Sequence, residues 1–244
     1  MKVAVCVSGK VNSTYNLIKR NNNVLKEKFP NADFYYATWE DQKEIFYRNF
    51  PNDKCFIFKE PDINYHPYWP EDIILNPYFK EAKNYIIRSN KIEWSKHHSK
   101  QILIHAWLLS SISEKYDIII RTRFDEFIWK DSQADFTPFV KDSYDNQRAI
   151  GFAVTRKKEF KNLYESNYKE NPKMKWRILD QLIIHPRKLL NIEEVILLHD
   201  SKKLYPAELG WWQVLSKNFN NNHRNIHGWT NHDKNVLPEF IKEG

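Results

Sequence analysis

No stretch of this chain approaches the ~20 consecutive apolar residues that a membrane-spanning helix needs. Cysteine is scarce: Cys6 and Cys55 are the only two, each inside an apolar run that reads as a buried strand. A disulfide framework or a cysteine-based zinc site is therefore not expected, and a reducing compartment is the simplest home. Glycine is scarce too, with five in 244 residues. None falls in a Gly-x-Ser-x-Gly, Walker or Gly-x-Gly-x-x-Gly pattern, which argues against serine hydrolases, P-loop NTPases and the common dinucleotide enzymes. No His-Glu-x-x-His is present. The short apolar run Met1-Lys-Val-Ala-Val-Cys-Val-Ser-Gly9 is followed by no small-residue cleavage site, so the chain reads as cytoplasmic, compatible with a peripheral place at the inner face of a membrane. The glycosylation-type triplet Asn12-Ser13-Thr14 then carries no meaning.

What is present suffices for a core: 41% of residues are hydrophobic and 15% aromatic. With no internal repeat and no low-complexity linker, residues 1–244 are expected to form a single domain. Thirty-eight Lys plus Arg against thirty-one Asp plus Glu give +7. That charge attracts anionic partners such as nucleotides, phosphorylated lipids or nucleic acids without choosing among them. Its bland counterpart is a solvated basic surface.

Along the chain, strand and helix alternate. Residues 2–8 read as a strand, followed by a turn at Ser8-Gly9-Lys10 and a helix capped by Asn12 or Ser13 that runs to Phe29. Asp33–Trp39 and Lys54–Lys59 read as further strands, with a helix near Gln42–Phe50 between them. Around 60–92 the prolines from Pro61 to Pro77 and many aromatics break the rhythm, as in an ordered insertion. Trp94–Lys115 is expected to be a helix with Ser95 as its cap and Ile102, His105, Ala106, Leu109, Ile112 and Ser113 on one face. Tyr116-Asp-Ile-Ile-Ile120 then suits a strand buried on both faces. Later elements are a strand at Ala149–Thr155, an apolar stretch at Ile178–His185, and helices at about Pro186–Leu198 and Ala207–Asn218. A tail rich in Asn and His follows from 220.

The charged cluster Arg121-Thr-Arg-Phe-Asp-Glu126 directly follows Ile118-Ile-Ile120. Charges beside a buried strand are costly unless they bind something or one another. In open α/β sheets the carboxyl end of a strand is where ligands bind, so a diphosphate site is the functional reading. Asp125 would hold a divalent cation bridging two phosphates, and Arg121 or Arg123 would add charge at the leaving group. A salt-bridged strand end is the structural alternative. The Ser8-Gly9 turn opens a strand–turn–helix unit whose free N–H groups suit phosphate or base. Asp180 and Glu208 are two further carboxylates, either of which could take a proton from an acceptor hydroxyl. Trp211-Trp212 could stack on a sugar, although core packing is the commoner role of such pairs. His223, His227 and His232 come near metal-ligand spacing, but no cysteine partner accompanies them. His97, His98 and His105 fall along one helix, where packing or surface roles are the default.

The combination of Ser8-Gly9, Asp33, Thr38-Trp39, Gln101, Tyr116-Asp-Ile-Ile-Ile-Arg-Thr-Arg-Phe-Asp125, Asp180-Gln181 and Pro206-Ala-Glu208 resembles bacterial and viral glycosyltransferases of lipopolysaccharide and capsule synthesis. The resemblance implies an α/β, GT-A-like (Rossmann-like) fold, a mixed central sheet flanked by helices. It also implies transfer of a sugar from a nucleotide-sugar donor to a glycan or lipid-linked acceptor. Ser8, Gly9, Thr38, Gln101 and Arg123 would then contact the nucleotide. The Arg-x-Arg-x-Asp block takes the place of the DXD signature of GT-A enzymes. Here Phe124 stands where that family usually has proline, so Asp125 or Glu126 would meet Mn²⁺ or Mg²⁺. A C-terminal histidine completes the metal shell in some such enzymes, which points to His227.

Two other classes compete. A nucleic-acid-binding protein would need a basic stripe interleaved with aromatics, and acids are mixed among the bases throughout. A nucleotidyltransferase on a similar sheet would need a second acid close to Asp125, a place Glu126 could fill only from the opposite face of a strand.

Overall fold

The computed structural model describes residues 1–11, 15–65, 92–113, 115–124, 135–155, 164–165, 176–205, 207–216 and 222–229. Among these, eight strands form one sheet in the order β3-β2-β1-β4-β7-β5-β8-β6. The strands are β1 Val3–Ser8, β2 Asp33–Trp39, β3 Cys55–Phe58, β4 Ile118–Thr122, β5 Ala149–Thr155, β6 Tyr164–Glu165, β7 Leu182–Pro186 and β8 His223–Trp229. The helices are α1 Tyr15–Lys28, α2 Lys43–Asn49, α3 Ile92–Ser111, α4 Thr137–Asn146, α5 Ile192–Asp200 and α6 Ala207–Leu215. β3, β2, β1 and β4 run parallel, β7 is antiparallel to both β4 and β5, β8 is parallel to β5, and β6 is antiparallel to β8. This is the mixed sheet flanked by helices that the sequence led us to expect.

The central strands are apolar on both faces because both are covered. Ala4, Cys6, Ile119 and Ile183 face a core built with α3, α5 and α6, which includes Ile102, Leu109, Val195 and Trp211. Val5, Val7, Ile118, Ile120, Leu182 and Ile184 face a second core that includes Ile18 and Leu25 of α1, Phe46 of α2 and Val140 of α4. Each fully buried aliphatic contributes about 1.5–3 kcal/mol relative to exposure, so two such layers stabilise the sheet against a one-residue slip of any central strand.

Several boundaries differ from the sequence reading. α3 starts at Ile92, so Ser95 lies inside it and is not its cap. It ends at Ser111, which leaves Ile112 and Ser113 beyond its last turn. Its buried surface is no single stripe: Leu103, Ile104 and Leu108 are buried as fully as Ile102 and Leu109, since α5 and α6 pack against it as well as the sheet. The expected helix at Pro186–Leu198 is shortened because Pro186 ends β7, a 3-10 turn spans Arg187–Leu189, and the Asn191 side chain caps α5 by accepting from Glu194 N at 3.2 Å. The expected β4 shifts toward the carboxyl side and includes Arg121 and Thr122. α4 was not expected, and the tail holds an ordered strand, β8, in continuous register with β5. Most of the 60–92 insertion lies outside the described residues. Among the described residues no helix is long and apolar enough to cross a membrane.

Candidate functional site

The chain winds outward from β1 in two directions, through β2 and β3 on one side and through β4 on the other. Where strand order reverses in this way, the connections at the carboxyl ends diverge and leave a crevice. In this sheet the reversal, and with it the expected crevice, falls between the ends of β1 and β4. The start of β7 adjoins the same edge, because Leu182 pairs with Thr122 and the Thr122 hydroxyl donates to Gln181 O at 2.9 Å.

Ser8 and Gly9 end β1. Gly9 has φ +124°, a region L side chains rarely adopt, and is tied down by its N–H to Ala37 O at 3.1 Å and by the Thr38 hydroxyl, which donates to Gly9 O at 2.8 Å. A β-carbon on Gly9 would stand 2.6 Å from Oε1 of Gln101, so the turn must be glycine for α3 to approach. The Ser8 hydroxyl is fully buried and has no hydrogen-bond partner among the described residues, a costly state.

Cys6 is the register partner of Arg121 and lies on the face shared with α3 and α6, so Arg121 projects into that layer. Its guanidinium is fully buried. It donates to Gln101 Oε1 at 3.3 Å and to the Asp180 carbonyl, and it lies 4.7 Å over the Trp211 ring. Gln101 also meets His97, at 3.4 Å. Asp180 is reached by a tight passage: Gly151 of β5 leaves room for the Ile178–Asp180 segment, since a β-carbon there would stand 2.5 Å from Leu179 O. The Asn225 side chain of β8 holds the same segment, accepting from Leu179 N at 2.9 Å and donating to Arg177 O at 2.8 Å.

The carboxylate of buried Asp180 faces the His98 imidazole of α3 at 3.4 Å. Burial alone would raise its pKa. The His98 contact and charge, with the charges of Arg121 and Arg123, outweigh burial and hold the carboxyl well below the usual range. Asp180 is thus a firmly ionised anion, better suited to orienting a cation, an imidazole or a hydroxyl than to accepting a proton outright. Glu208, in the first turn of α6, is engaged by both Nε and Nη2 of Arg177, and its carbonyl accepts from Ile178 N at 3.1 Å. His227 on β8 is half-buried, and burial followed by the Arg177 charge lowers its pKa.

The sequence-predicted residues Ser8, Gly9, Thr38, Gln101, Arg121, Arg123 and Asp180 therefore cluster at this one sheet edge, and Arg177, bonded to Glu208, is near enough to His227 for its charge to act on it. Asp125, Glu126 and Pro206 lie outside the described residues. Among the described residues no group of three or more His, Cys, Asp or Glu stands together as a metal site. Of the histidines near metal-ligand spacing, His223 and His227 both lie on strand β8, His223 is engaged by the Ser216 hydroxyl at 2.8 Å, and His232 lies outside the described residues. Asp33 sits at the opposite sheet edge, where its carboxylate accepts from the Tyr116 hydroxyl at 2.6 Å. Sequence reasoning missed His98 and Arg177. His98 had a signal, standing three residues before Gln101 and so on the same side of a helix.

No family model matches the sequence, and no curated protein matches it. Among solved structures, the chain is similar to 4-diphosphocytidyl-2C-methyl-D-erythritol synthase from Anaerococcus prevotii, with TM-score 0.53, 5% identity, and 99% of this chain and 97% of that one covered. A CMP:2-keto-3-deoxy-manno-octonic acid synthetase complexed with CTP gives 0.47 at 9% identity, covering 100% and 99%. A glycosyltransferase involved in glycosylation of the major capsid of PBCV-1 gives 0.44 at 11%, covering 100% and 92%. At such identities the likeness concerns the fold alone. What the chain shares with them is an α/β fold with a mixed sheet flanked by helices.

Proposed function

We propose that this chain is a single-domain glycosyltransferase that moves a sugar from a nucleotide-sugar donor to a glycan or lipid-linked acceptor in surface-polysaccharide synthesis. The observation that carries the reading is the reversal of strand order between the ends of β1 and β4. There a side-chain-free turn at Gly9 and the Ser8 hydroxyl, without a hydrogen-bond partner among the described residues, adjoin the strand end that carries Arg121 and Arg123. A diphosphate leaving group gains charge as the glycosidic bond breaks, and a guanidinium held in place beforehand acts mainly on that developing charge.

In this reading Ser8, Gly9, Thr38 and Gln101 bind the nucleotide and Arg123 meets its phosphates. Arg121, fixed by Gln101 and the Asp180 carbonyl, shapes the floor. Asp125, with Glu126 or His227, would hold Mn²⁺ or Mg²⁺, which when bound would neutralise the diphosphate. Of the two candidate carboxylates, Asp180 adjoins the crevice and orients His98, so the acceptor proton passes to that pair. Glu208, held by Arg177, braces the Ile178–Asp180 segment.

Nucleotidyl transfer would use the same crevice. The test is product analysis after incubation with UDP-, GDP-, CMP- and TDP-sugars plus glycan acceptors, and separately with nucleoside triphosphates plus sugar phosphates. Release of nucleotide with a glycosylated acceptor supports the proposal. Release of pyrophosphate with a new nucleotide sugar replaces it by nucleotidyl transfer.

A further inference from the structure

From the carboxyl end of β3 the chain runs to α5 and is held on the way at Glu60, Ile63 and Tyr65. The Glu60 carboxylate meets Nζ of Lys100 on α3 at 3.1 Å and Nζ of Lys10, the residue after the Gly9 turn, at 3.8 Å. Ile63 is buried in the core that α3, α5 and α6 share, and the Tyr65 hydroxyl lies 2.8 Å from Nδ1 of His199 on α5. Those two contacts pin the segment without the ion pairs, and partly exposed ion pairs of this kind contribute little to stability.

The effect of Glu60 is electrostatic. Two ammonium groups share one carboxylate, which leaves positive charge in excess beside Gly9. The side chains of Lys10, Glu60 and Lys100 are 39%, 25% and 21% exposed, so a solute can reach all three. Lys10 follows Gly9, and Lys100 precedes Gln101, whose amide adjoins Gly9. The cations therefore stand at the same sheet edge as Arg121. Each ammonium is a point charge with three donors on a flexible stem. A phosphate carries more charge and more acceptor oxygens than a carboxylate, so it competes well for such a pair.

We propose that Lys10 and Lys100 form a phosphate subsite for which the Glu60 carboxylate is a built-in stand-in. A nucleoside diphosphate at the Gly9 turn takes over the two ammonium groups, and Glu60 sets its affinity by competing for them. The inference rests on the nucleotide-sugar reading of this sheet edge and adds to it a competing anion carried by the chain itself.

Calorimetric titration of the full chain with uridine, guanosine, cytidine and thymidine diphosphates and with inorganic pyrophosphate tests the proposal. The proteins are wild type, Glu60→Gln, Lys10→Gln, Lys100→Gln, the double lysine variant with and without Glu60→Gln, and Lys59→Gln, an exposed charge next to Glu60 in sequence. At least one diphosphate is expected to bind, with Kd raised about tenfold by Lys100→Gln, raised by Lys10→Gln, and lowered about threefold or more by Glu60→Gln. With both lysines replaced, Glu60→Gln changes nothing further, because the competitor has no cations left to compete for. Lys59→Gln leaves Kd unchanged, and Glu60→Gln melts as wild type. The proposal is overturned if Glu60→Gln weakens binding or leaves it unchanged, if the lysine variants bind as wild type, if Lys59→Gln acts as strongly as Lys100→Gln, or if nothing binds, pyrophosphate included. A nucleoside diphosphate that binds without following the pattern overturns the subsite and leaves the transferase reading intact. The expected pattern in a protein that transfers sugar from no nucleotide sugar upholds the subsite and removes that reading.

Discussion

The Arg121 guanidinium lies 4.7 Å over the indole ring of Trp211, and both side chains are fully buried. A buried charge survives only where every neighbour compensates it. Trp211 supplies its ring face, Gln101 an amide oxygen and Asp180 a carbonyl. Lysine cannot reproduce this planar set of donors. Arg121→Lys is expected to destabilise the fold by about 3 kcal/mol or more, and Trp211→Leu by about 2 kcal/mol or more from lost packing and cation–π attraction. Denaturant unfolding of both variants checks this. Wild-type midpoints would mean that the contact contributes nothing.

Gly9 meets two demands at once, a left-handed backbone and the close approach of Gln101. Gly9→Val should cost about 1–3 kcal/mol in strain and, by pushing Gln101 off Arg121, weaken nucleotide binding in the protein that still folds. If affinity in the folded fraction were unchanged, the glycine would serve the fold alone.

Asp180 and Glu208 are carboxylates with different partners, His98 and Arg177. Asp180→Asn is expected to lower acceptor transfer by about 10²-fold or more while donor binding persists. Glu208→Gln should act chiefly on stability, by loosening the Arg177 anchor. Steady-state rates and donor titrations separate the two. Full activity in both variants would end the assignment.

His105 and His185 are fully buried with Nε2 atoms 3.3 Å apart. Burial, followed by a backbone contact to Pro186 that only partly opposes it, pushes His185 down to about 4 from an ordinary value near 6.5, and burial likewise lowers His105. The folded state therefore binds fewer protons than the unfolded chain between those values, and stability falls as pH drops from about 6.5 toward 4. Asp180, with its pKa lowered, acts only at still lower pH. Melting curves from pH 7.5 to 4.5 check the window. A His185→Gln variant should show a shallower fall, and an equal slope would remove the histidine from the explanation.

Much of this arrangement was legible in the sequence. β2 and β5 were read at their observed bounds, and β4 within two residues, because apolar runs between turn residues mark strands buried on both faces. The placement of Ser8-Gly9 and Arg121 at one edge followed from strand ends alone. β8 was not legible, because its inward side chains are polar. His223 is engaged by Ser216, and Asn225 by the backbone of Arg177 and Leu179, so no hydrophobic alternation announces the strand. The His98–Asp180 pair joins residues 82 positions apart, a distance across which local pattern carries nothing.

The central claim is that the crevice binds a nucleotide-sugar diphosphate through Arg123 and a cation held by Asp125. The most direct measurement is calorimetric titration of nucleotide sugars with manganese and with EDTA, on wild type, Asp125→Asn and Arg123→Lys. The account predicts one preferred donor, weakened about tenfold or more by EDTA and by Asp125→Asn, and weakened also by Arg123→Lys, with all three proteins melting alike. Failure of every nucleotide sugar to bind, or binding indifferent to chelation and to both substitutions, would contradict it.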